Sequence, residues 1–177
     1  KEDGLELPSK IFLFQGLPKA DKMELIIQKA VELGTYSIIP VTTRRSVVKL
    51  NEKKAVSKIQ RWQAISEAAA KQSKRRIIPE IQMPMNMQQA VQFAAQMEVK
   101  LIPYELSEGM QKTKELISNI WPGQNIAVFI GPEGGFDDKE IEMAQNAGII
   151  PITMGRRILR TETAGFTILS WLMYHLE

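Results

Sequence analysis

Six short apolar runs alternate with longer amphipathic stretches along the chain. The runs predict buried strands at residues 11–14, 36–41, 77–81, 99–104, 126–130 and 149–154. Between them, apolar residues recur three and four positions apart, which predicts helices. Strands that are apolar on both faces are typical of parallel sheets. The alternation therefore predicts an α/β fold, with a mainly parallel sheet and helices on both of its faces.

Several of the predicted helices begin at a recognisable cap. A capping residue is followed three positions later by Glu or Gln at Asp21–Glu24, Asn86–Gln89 and Asp137–Glu140. A further cap, Asn51, begins a long helix whose inward face should carry Val56, Ile59, Trp62, Ile65 and Ala69. The last helix, from Thr163 to about Leu176, is apolar almost all round, so we expect it to be buried or to pack on a partner.

Two loops that follow late strands carry unusual residues. The first is Gly131-Pro132-Glu133-Gly134-Gly135, and the second runs from Met154 to Ala164 with three arginines and a Thr-Glu-Thr helix start. Neither is a P-loop, and the chain contains no G-x-G-x-x-G fingerprint. A glycine pair alone is usually a matter of turn geometry. Two consecutive strand ends with such loops indicate one shared pocket, since ligands bind beyond the carboxyl ends of parallel strands.

Composition narrows the class of protein without identifying a ligand. The 177 residues suffice for one domain, and the net charge of +3 is too small to establish a nucleic-acid partner. The chain has no cysteine, which excludes disulfides. It has a single histidine, His175, which argues against a metal site built on histidines. No run of residues has the length of a membrane span and no signal peptide is visible, so we expect a cytoplasmic protein.

The two loops closely resemble those of the RsmE family of ribosomal RNA methyltransferases, in the SPOUT superfamily. The matching residues are 131–135 together with Arg157-Ile158-Leu159-Arg160-Thr161-Glu162-Thr163-Ala164, and weaker matches lie upstream at 22–24, 32–34 and 45–48. The resemblance implies S-adenosylmethionine-dependent methylation of uridine N3 in 16S rRNA of the small ribosomal subunit. It also implies a SPOUT α/β fold with a deep C-terminal trefoil knot, and a homodimer.

The same resemblance implies a domain boundary. Members of the family carry an N-terminal PUA-like β-barrel domain that helps to bind RNA. In this sequence a polar segment, residues 1–10, precedes the first strand. We therefore interpret residues 1–10 as a linker or tail from such a domain, and residues 11–177 as the SPOUT methyltransferase domain.

The resemblance and the residue types together select candidate site residues. We expect three loops, after residues 99–105 and at the two stretches above, to hold S-adenosylmethionine. Glycines and aliphatic side chains there can sandwich a flat ring and leave backbone groups to contact its edge. The predicted cofactor-binding residues are Pro103, Ile130, Gly131, Glu133, Gly135, Met154, Gly155, Ile158, Leu159, Arg160, Thr163 and Ala164.

Methylation at N3 requires that this nitrogen lose its proton, so the site needs a proton acceptor or a cation beside the uracil anion. Glu133 and Glu162 are the candidate acceptors. The simpler interpretation of Glu162 is that it stabilises the positive end of a helix. Arg160 is the candidate cation, with an ordinary structural ion pair as its alternative. We therefore predict Arg160 and Glu133 as the catalytic residues.

Basic clusters are the candidate RNA contacts, although runs of charge are usually only solvated surface. The predicted RNA-binding residues are Arg44, Arg45, Lys71, Lys74, Arg75, Arg76, Arg156 and Arg157. The densest cluster, residues 71–76, is the first choice for a phosphate contact. Two other functions stay open from the sequence. One is a SPOUT enzyme that methylates a ribose 2′-hydroxyl, and the other is a dimeric fragment that binds the cofactor without turnover.

Overall fold

The computed structural model describes residues 4–46, 50–105 and 109–177. Within these ranges seven strands form a single sheet in which all pairings are parallel. The order across the sheet is β3-β2-β1-β6-β5-β7, with β4 also paired to β2. The strands are β1 (Ile11–Gly16), β2 (Ser37–Thr42), β3 (Glu80–Ile81), β4 (Met85–Asn86), β5 (Val99–Pro103), β6 (Ile126–Ile130) and β7 (Ile150–Ile152).

Helices cover both faces of this sheet. They are α1 (Lys22–Glu32), α2 (Glu52–Gln72), α3 (Met87–Ala94), α4 (Gln111–Ser118), α5 (Asp138–Asn146) and α6 (Thr161–Leu176). The first, second, fourth and sixth helices share one buried cluster, and α3 and α5 share the other. The central strand β6 is buried at every position, as expected of a parallel strand covered on both sides. The predicted fold class, with helices on both faces, is confirmed.

Three of the four predicted helix starts form as expected. The Asn51 side chain accepts a hydrogen bond from the N–H of Lys54 at 2.8 Å. Complete capping boxes form at Asn86 with Gln89 and at Asp137 with Glu140. The predicted box at Asp21 is wrong, because the Asp21 side chain makes no cap hydrogen bond. Glu24 instead forms an ion pair with Arg61 of α2, so a contact between helices takes the place of the local one.

The structure corrects three further details. The strand predicted at 77–81 is only Glu80–Ile81, and the side chains of Ile77 and Ile78 are 38% and 47% exposed. Short edge strands limit the unpaired backbone that a sheet presents. Val56 was expected to face inward, but it is 46% exposed because the buried stripe of α2 begins at Ala55 instead. The last helix begins at Thr161, two residues before its predicted start.

Residues before β1 pack on the domain. The Leu7 side chain contacts the main core, and Glu6 pairs with Arg75. The Ser9 hydroxyl accepts a hydrogen bond from the N–H of Gly123 at 3.1 Å. The predicted division between residues 1–10 and 11–177 stays a prediction, as does the trefoil knot. No helix within the described ranges has both the length and the apolar character needed to cross a bilayer.

Candidate active site

A cavity of about 550 Å³ opens at the carboxyl edge of the sheet. Its walls come from the segments that follow β5, β6 and β7, which are the three loops expected from the sequence. Of the first loop, residues 106–108 lie outside the described ranges. The strands β1 and β6 are neighbours, but the chain continues from β1 to β2 on one side of this pair and from β6 to β7 on the other. Such switch points are where open α/β sheets bind ligands. The topology therefore accounts for the position of this cavity.

The Gly131–Gly135 turn is shaped by close backbone packing. A Cβ atom on Gly131 would lie 3.1 Å from the Cα and carbonyl carbon of Gly135. The N–H of Gly135 donates to the carbonyl of Pro132 at 2.8 Å, and Gly135 itself has a φ of +71°. A residue with a side chain is strained at this φ and would crowd the turn at Gly131. The glycines thus bring the turn tightly over the end of β6 and leave its backbone facing the cavity.

Apolar side chains make up much of the cavity wall. They are Pro103, Ile130, Pro132, Phe136, Met154, Ile158, Leu159 and Ala164. Ile158 is 88% exposed, which leaves an aliphatic side chain in water beside a cavity. The volume and the mixture of apolar walls with a few polar groups are those of a small-molecule site, for which roughly 300–1,000 Å³ is usual. An exposed aliphatic group at the mouth suits a ligand with a flat apolar face.

A charged cluster lies at one side of the cavity. Lys22, at the start of α1, lies 3.5 Å from a Glu133 oxygen and 3.7 Å from a Glu162 oxygen. Glu133 also accepts a hydrogen bond from the backbone N–H of Lys19 at 2.8 Å. Partial burial acts to raise the pKa of Glu133. The backbone N–H groups of Lys19 and of Glu133 itself, together with the Lys22 ammonium, outweigh this effect, so the pKa lies below its ordinary value. Glu133 is therefore ionised at neutral pH and is a weaker base than a free carboxylate.

Three arginines, Arg45, Arg157 and Arg160, line the opening. Arg45 is held in place because its Nη1 donates to the carbonyl of Gly134 at 2.8 Å. Arg160 immediately precedes α6 and has an extended backbone with ψ of 156°. Over the described residues it forms no salt bridge within 4.0 Å. Its guanidinium is therefore not committed to the ion pair that was the alternative interpretation of this residue.

The structure brings together nearly all the residues predicted from the sequence for the pocket. Of the twelve predicted cofactor-binding residues, Thr163 is the one that does not line the cavity. It lies in the first turn of α6, on a side of the helix that is exposed to solvent. Lys22, Tyr104 and Thr161 also line the cavity, although none of them was predicted as a site residue. Tyr104 ends the apolar run at residues 99–104 and Thr161 lies inside the second loop, so position could have indicated both. Lys22 lies more than 100 residues before its partner Glu133. The upstream match to the family at residues 22–24 is the signal in the sequence that could have indicated it.

The predicted basic clusters fall at opposite ends of the sheet. Arg44, Arg45, Arg156 and Arg157 follow the carboxyl ends of strands and lie on the same side as the cavity. Lys71 lies in the last turn of α2, and Lys74 and Arg76 follow this helix. The helix begins near that edge and runs for 21 residues, or about 30 Å, toward the opposite one. The densest cluster is therefore remote from the cavity.

The structure argues against the prediction that Arg75 contacts phosphate. Its side chain is 5% exposed and forms an ion pair with Glu6. Its Nη1 also donates to the carbonyls of Val31 and Thr35, at 3.0 and 2.7 Å. These partners use the hydrogen-bond donors of the guanidinium inside the domain. Arg75 therefore links the end of α2 to Glu6, before β1, and to Val31 and Thr35, before β2.

Comparison with known sequences assigns the family. The profile of the RNA methyltransferase domain matches residues 5–173, which is nearly the whole chain. The chain belongs to the RNA methyltransferase domain family. A curated relative of this methyltransferase domain, the ribosomal RNA small subunit methyltransferase E of Bacillus subtilis, is 38% identical over 175 residues. That alignment covers 97% of this chain and 68% of the relative.

Solved structures agree with this assignment. A ribosomal RNA small subunit methyltransferase E from Neisseria gonorrhoeae, bound to S-adenosyl methionine, aligns with a TM-score of 0.83 at 31% identity. The alignment covers 98% of the methyltransferase domain described here and 69% of that chain. The SpoU methyltransferase AviRb from Streptomyces viridochromogenes, in complex with AdoMet, aligns with a TM-score of 0.56 at 13% identity, over 96% of this chain and 58% of its own. This second likeness shows the fold alone, which is that of SPOUT methyltransferases.

Proposed function

We propose that the chain transfers a methyl group from S-adenosylmethionine to N3 of a uridine in 16S rRNA of the small ribosomal subunit. The observation that carries the proposal is the cavity at the ends of β5, β6 and β7 in a member of this family. The relative that is 38% identical, a small-subunit rRNA methyltransferase, supports the choice of substrate. The Neisseria relative bound to S-adenosyl methionine supports the choice of cofactor.

The cavity suits S-adenosylmethionine on physical grounds. Exposed aliphatic surface at Ile158 and the wall formed by Ile130 and Leu159 provide apolar contact for an adenine ring. Backbone groups of the turn at 131–135 lie at the same cavity, where they can hydrogen-bond a polar edge. When bound, the cofactor supplies an electrophilic methyl group on a sulfonium. The role of the surrounding residues is to hold it in one orientation and to exclude water, which contributes by fixing the reacting atoms close together.

Arg160 and Glu133 are the proposed catalytic residues at the uracil ring. Transfer would break the N3–H bond, with the proton passing to Glu133 or to water, and would form an N3–methyl bond as the methyl–sulfur bond of the sulfonium breaks, which leaves a neutral thioether. Arg160, whose guanidinium is unpaired over the described residues, can place its positive charge on a uracil oxygen as N3 loses its proton. Such preorganised stabilisation of developing charge is worth about 3 kcal/mol. Glu133 is a weak base because its pKa is lowered, so we assign the larger effect to Arg160.

The arginines on the cavity side are the proposed RNA contacts. Arg44, Arg45, Arg156 and Arg157 are exposed and lie at the carboxyl edge of the sheet. They can neutralise phosphates that flank a uridine turned outward into the cavity. Lys71, Lys74 and Arg76 remain as remote contacts, and we expect their removal to weaken binding without changing the chemical step.

We also propose that the chain acts as a homodimer through the face of α6 that its own core leaves uncovered. Buried positions of this helix, such as Leu169 and Leu172, face the core. Phe166 and Trp171 are only half-buried, and Tyr174 is 87% exposed. Aromatic residues are enriched in the buried centres of interfaces. The molecular mass in solution, measured by light scattering, should therefore be twice that of one chain.

The proposed function is tested by transfer of labelled methyl from S-adenosylmethionine to small ribosomal subunits that lack this modification. We expect label in 16S rRNA, and we expect Arg160→Ala to reduce the rate about 100-fold or more. An exposed arginine of α2, Arg61, provides a matched control, because Arg61→Ala lies away from the cavity. Absence of label with the unsubstituted chain, under conditions in which it binds the cofactor, would contradict the proposal.

A further inference from the structure

A glutamine is buried in the middle of the sheet, directly beneath the cavity. Gln15 lies on β1, opposite Ile130 of β6, and is 0% exposed. Leu13 and Leu17 on the same face of the segment belong to the main apolar core. Over the described residues the side-chain Oε1 of Gln15 has no hydrogen-bond partner. Burying an acceptor without a partner is unfavourable, so the amide group requires an explanation that packing does not provide.

The other end of the same amide forms a directed chain of hydrogen bonds. Gln15 Nε2 donates to Thr161 Oγ1 at 2.9 Å, and Thr161 Oγ1 donates to the carbonyl of Gly131 at 2.6 Å. Gln15 Nε2 also donates to the carbonyl of Gly16 at 2.9 Å. Backbone carbonyls can only accept hydrogen bonds, so the direction of each bond is fixed. The NH2 group of Gln15 donates to Gly16 and to Thr161, and the Thr161 hydroxyl uses its one hydrogen to donate to Gly131.

This chain of bonds joins the two loops that make the cavity. Gly131 begins the turn after β6, and Thr161 is the first residue of α6, at the end of the second loop. Both residues line the cavity, whereas Gln15 does not. Nearby packing is close, because a Cβ on Gly16 would lie 2.6 Å from Pro132 Cδ. Gln15 lies on a buried strand, and its hydrogen bonds can therefore keep the two loops at a fixed distance from each other.

We propose that Gln15 is a positioning residue for the cofactor cavity, acting through the Thr161 hydroxyl to fix the turn at Gly131 against the start of α6. The inference rests on the proposed function for the identity of the ligand. Fixed spacing matters because a cofactor that contacts both loops is bound most tightly when neither loop must be ordered on binding. Loss of any member of the chain should therefore weaken binding by loosening the same pair of loops.

The test is calorimetric titration with S-adenosylhomocysteine, the demethylated product, at a temperature at which circular dichroism shows every variant folded. Thr161→Val keeps the shape of the side chain and removes the hydroxyl, while Thr161→Ser keeps the hydroxyl. We expect Thr161→Val to bind at least about tenfold more weakly, a difference of about 1.4 kcal/mol. Thr161→Ser should bind within about threefold of the unsubstituted chain, since the donor and acceptor remain.

Two further variants separate positioning from general stability. Gln15→Leu should weaken binding as much as Thr161→Val does, and combining the two should add little, because members of one network are not additive. Thr167→Val is the matched control. It removes a threonine hydroxyl from the same helix, where Thr167 Oγ1 donates to the carbonyl of Thr163 away from the cavity. It should leave the affinity unchanged.

The outcomes decide both proposals separately. If the unsubstituted chain binds while Thr161→Val and Gln15→Leu bind equally well, the positioning role is overturned and the proposed function stands. The role is also overturned if Thr161→Ser loses as much affinity as Thr161→Val. If Gln15→Leu fails to fold, the valine and serine pair at Thr161 still decides the question. If the unsubstituted chain binds no S-adenosylhomocysteine, the proposed function fails together with this inference.

Discussion

Replacing Arg75 with methionine should destabilise the fold strongly, although Arg75 lies within a run of basic residues. The substitution keeps most of the side-chain volume and removes the guanidinium. It leaves the Glu6 carboxylate without its cation and removes a donor from the carbonyls of Val31 and Thr35, at 3.0 and 2.7 Å. Breaking a buried pair by removing one partner costs about 3–5 kcal/mol. Glu6 retains 24% exposure, so the lower end of that range, about 3 kcal/mol, applies.

The assay is urea unfolding followed by circular dichroism. With a slope of about 2 kcal/mol per molar urea, a loss of about 3 kcal/mol lowers the unfolding midpoint by about 1.5 M. The neighbouring residue provides a matched control, because Arg76 is exposed. Arg76→Met should change stability by less than about 0.5 kcal/mol. It should instead weaken binding to ribosomal RNA and reduce the dependence of binding on salt.

The reasoning would be refuted by the reverse pattern. If Arg75→Met shifts the midpoint by less than about 0.3 M, within the usual range for a surface substitution, the guanidinium does not contribute as its contacts require. If the folded Arg75→Met variant also loses RNA affinity as Arg76→Met does, then Arg75 contacts phosphate as well as Glu6.

Three further predictions concern the cavity. Gly16→Ala should cost about 1–3 kcal/mol and weaken cofactor binding, because its Cβ would lie 2.6 Å from Pro132 Cδ. Gly109→Ala, whose Cβ would meet nothing within 4 Å among the residues that the structure describes, should be neutral in the same unfolding and titration assays. The pKa of Glu133 lies below its ordinary value, so its ionised form contributes stability at neutral pH that is lost as the carboxylate is protonated in acid. The difference in urea midpoint between the unsubstituted chain and Glu133→Gln should therefore shrink as the pH falls through the range in which carboxylates titrate, and a constant difference would contradict this. Arg160→Lys keeps the charge but loses the planar fork, so its methyl-transfer rate should fall between those of the unsubstituted chain and Arg160→Ala, and equal rates for lysine and arginine would exclude bidentate contact.

Local patterns predicted the parts of this fold that local physics determines. The apolar run at 126–130 is a strand with those bounds, because no residue in it can remain in water on either side. The capping boxes at Asn86 and Asp137 form because each needs only a partner three residues away. The two glycine-containing loops lie at one cavity, as expected when two strand ends share an edge of a parallel sheet.

Contacts distant in sequence account for what could not be predicted. Asp21 and Glu24 have the spacing of a capping box, but Arg61 of another helix engages Glu24. Arg75 resembles its basic neighbours in sequence, and only its burial against Glu6 distinguishes it. Gln15 lies in an apolar strand and gives no signal of its own, because its partner Thr161 is 146 positions away. Such pairings follow from tertiary packing, and periodicity carries no information about them.

The central claim is most directly tested by identifying the atom that receives the methyl group. Small ribosomal subunits lacking the modification would be incubated with the chain and S-adenosylmethionine, and the rRNA would be digested to nucleosides. Chromatography with mass spectrometry would then compare the product with 3-methyluridine, 5-methyluridine and 2′-O-methyluridine. The account predicts 3-methyluridine, formed at least about 100-fold more slowly when Arg160→Ala replaces the unsubstituted chain. A 2′-O-methylated product would contradict the proposed reaction while leaving the cofactor site in place.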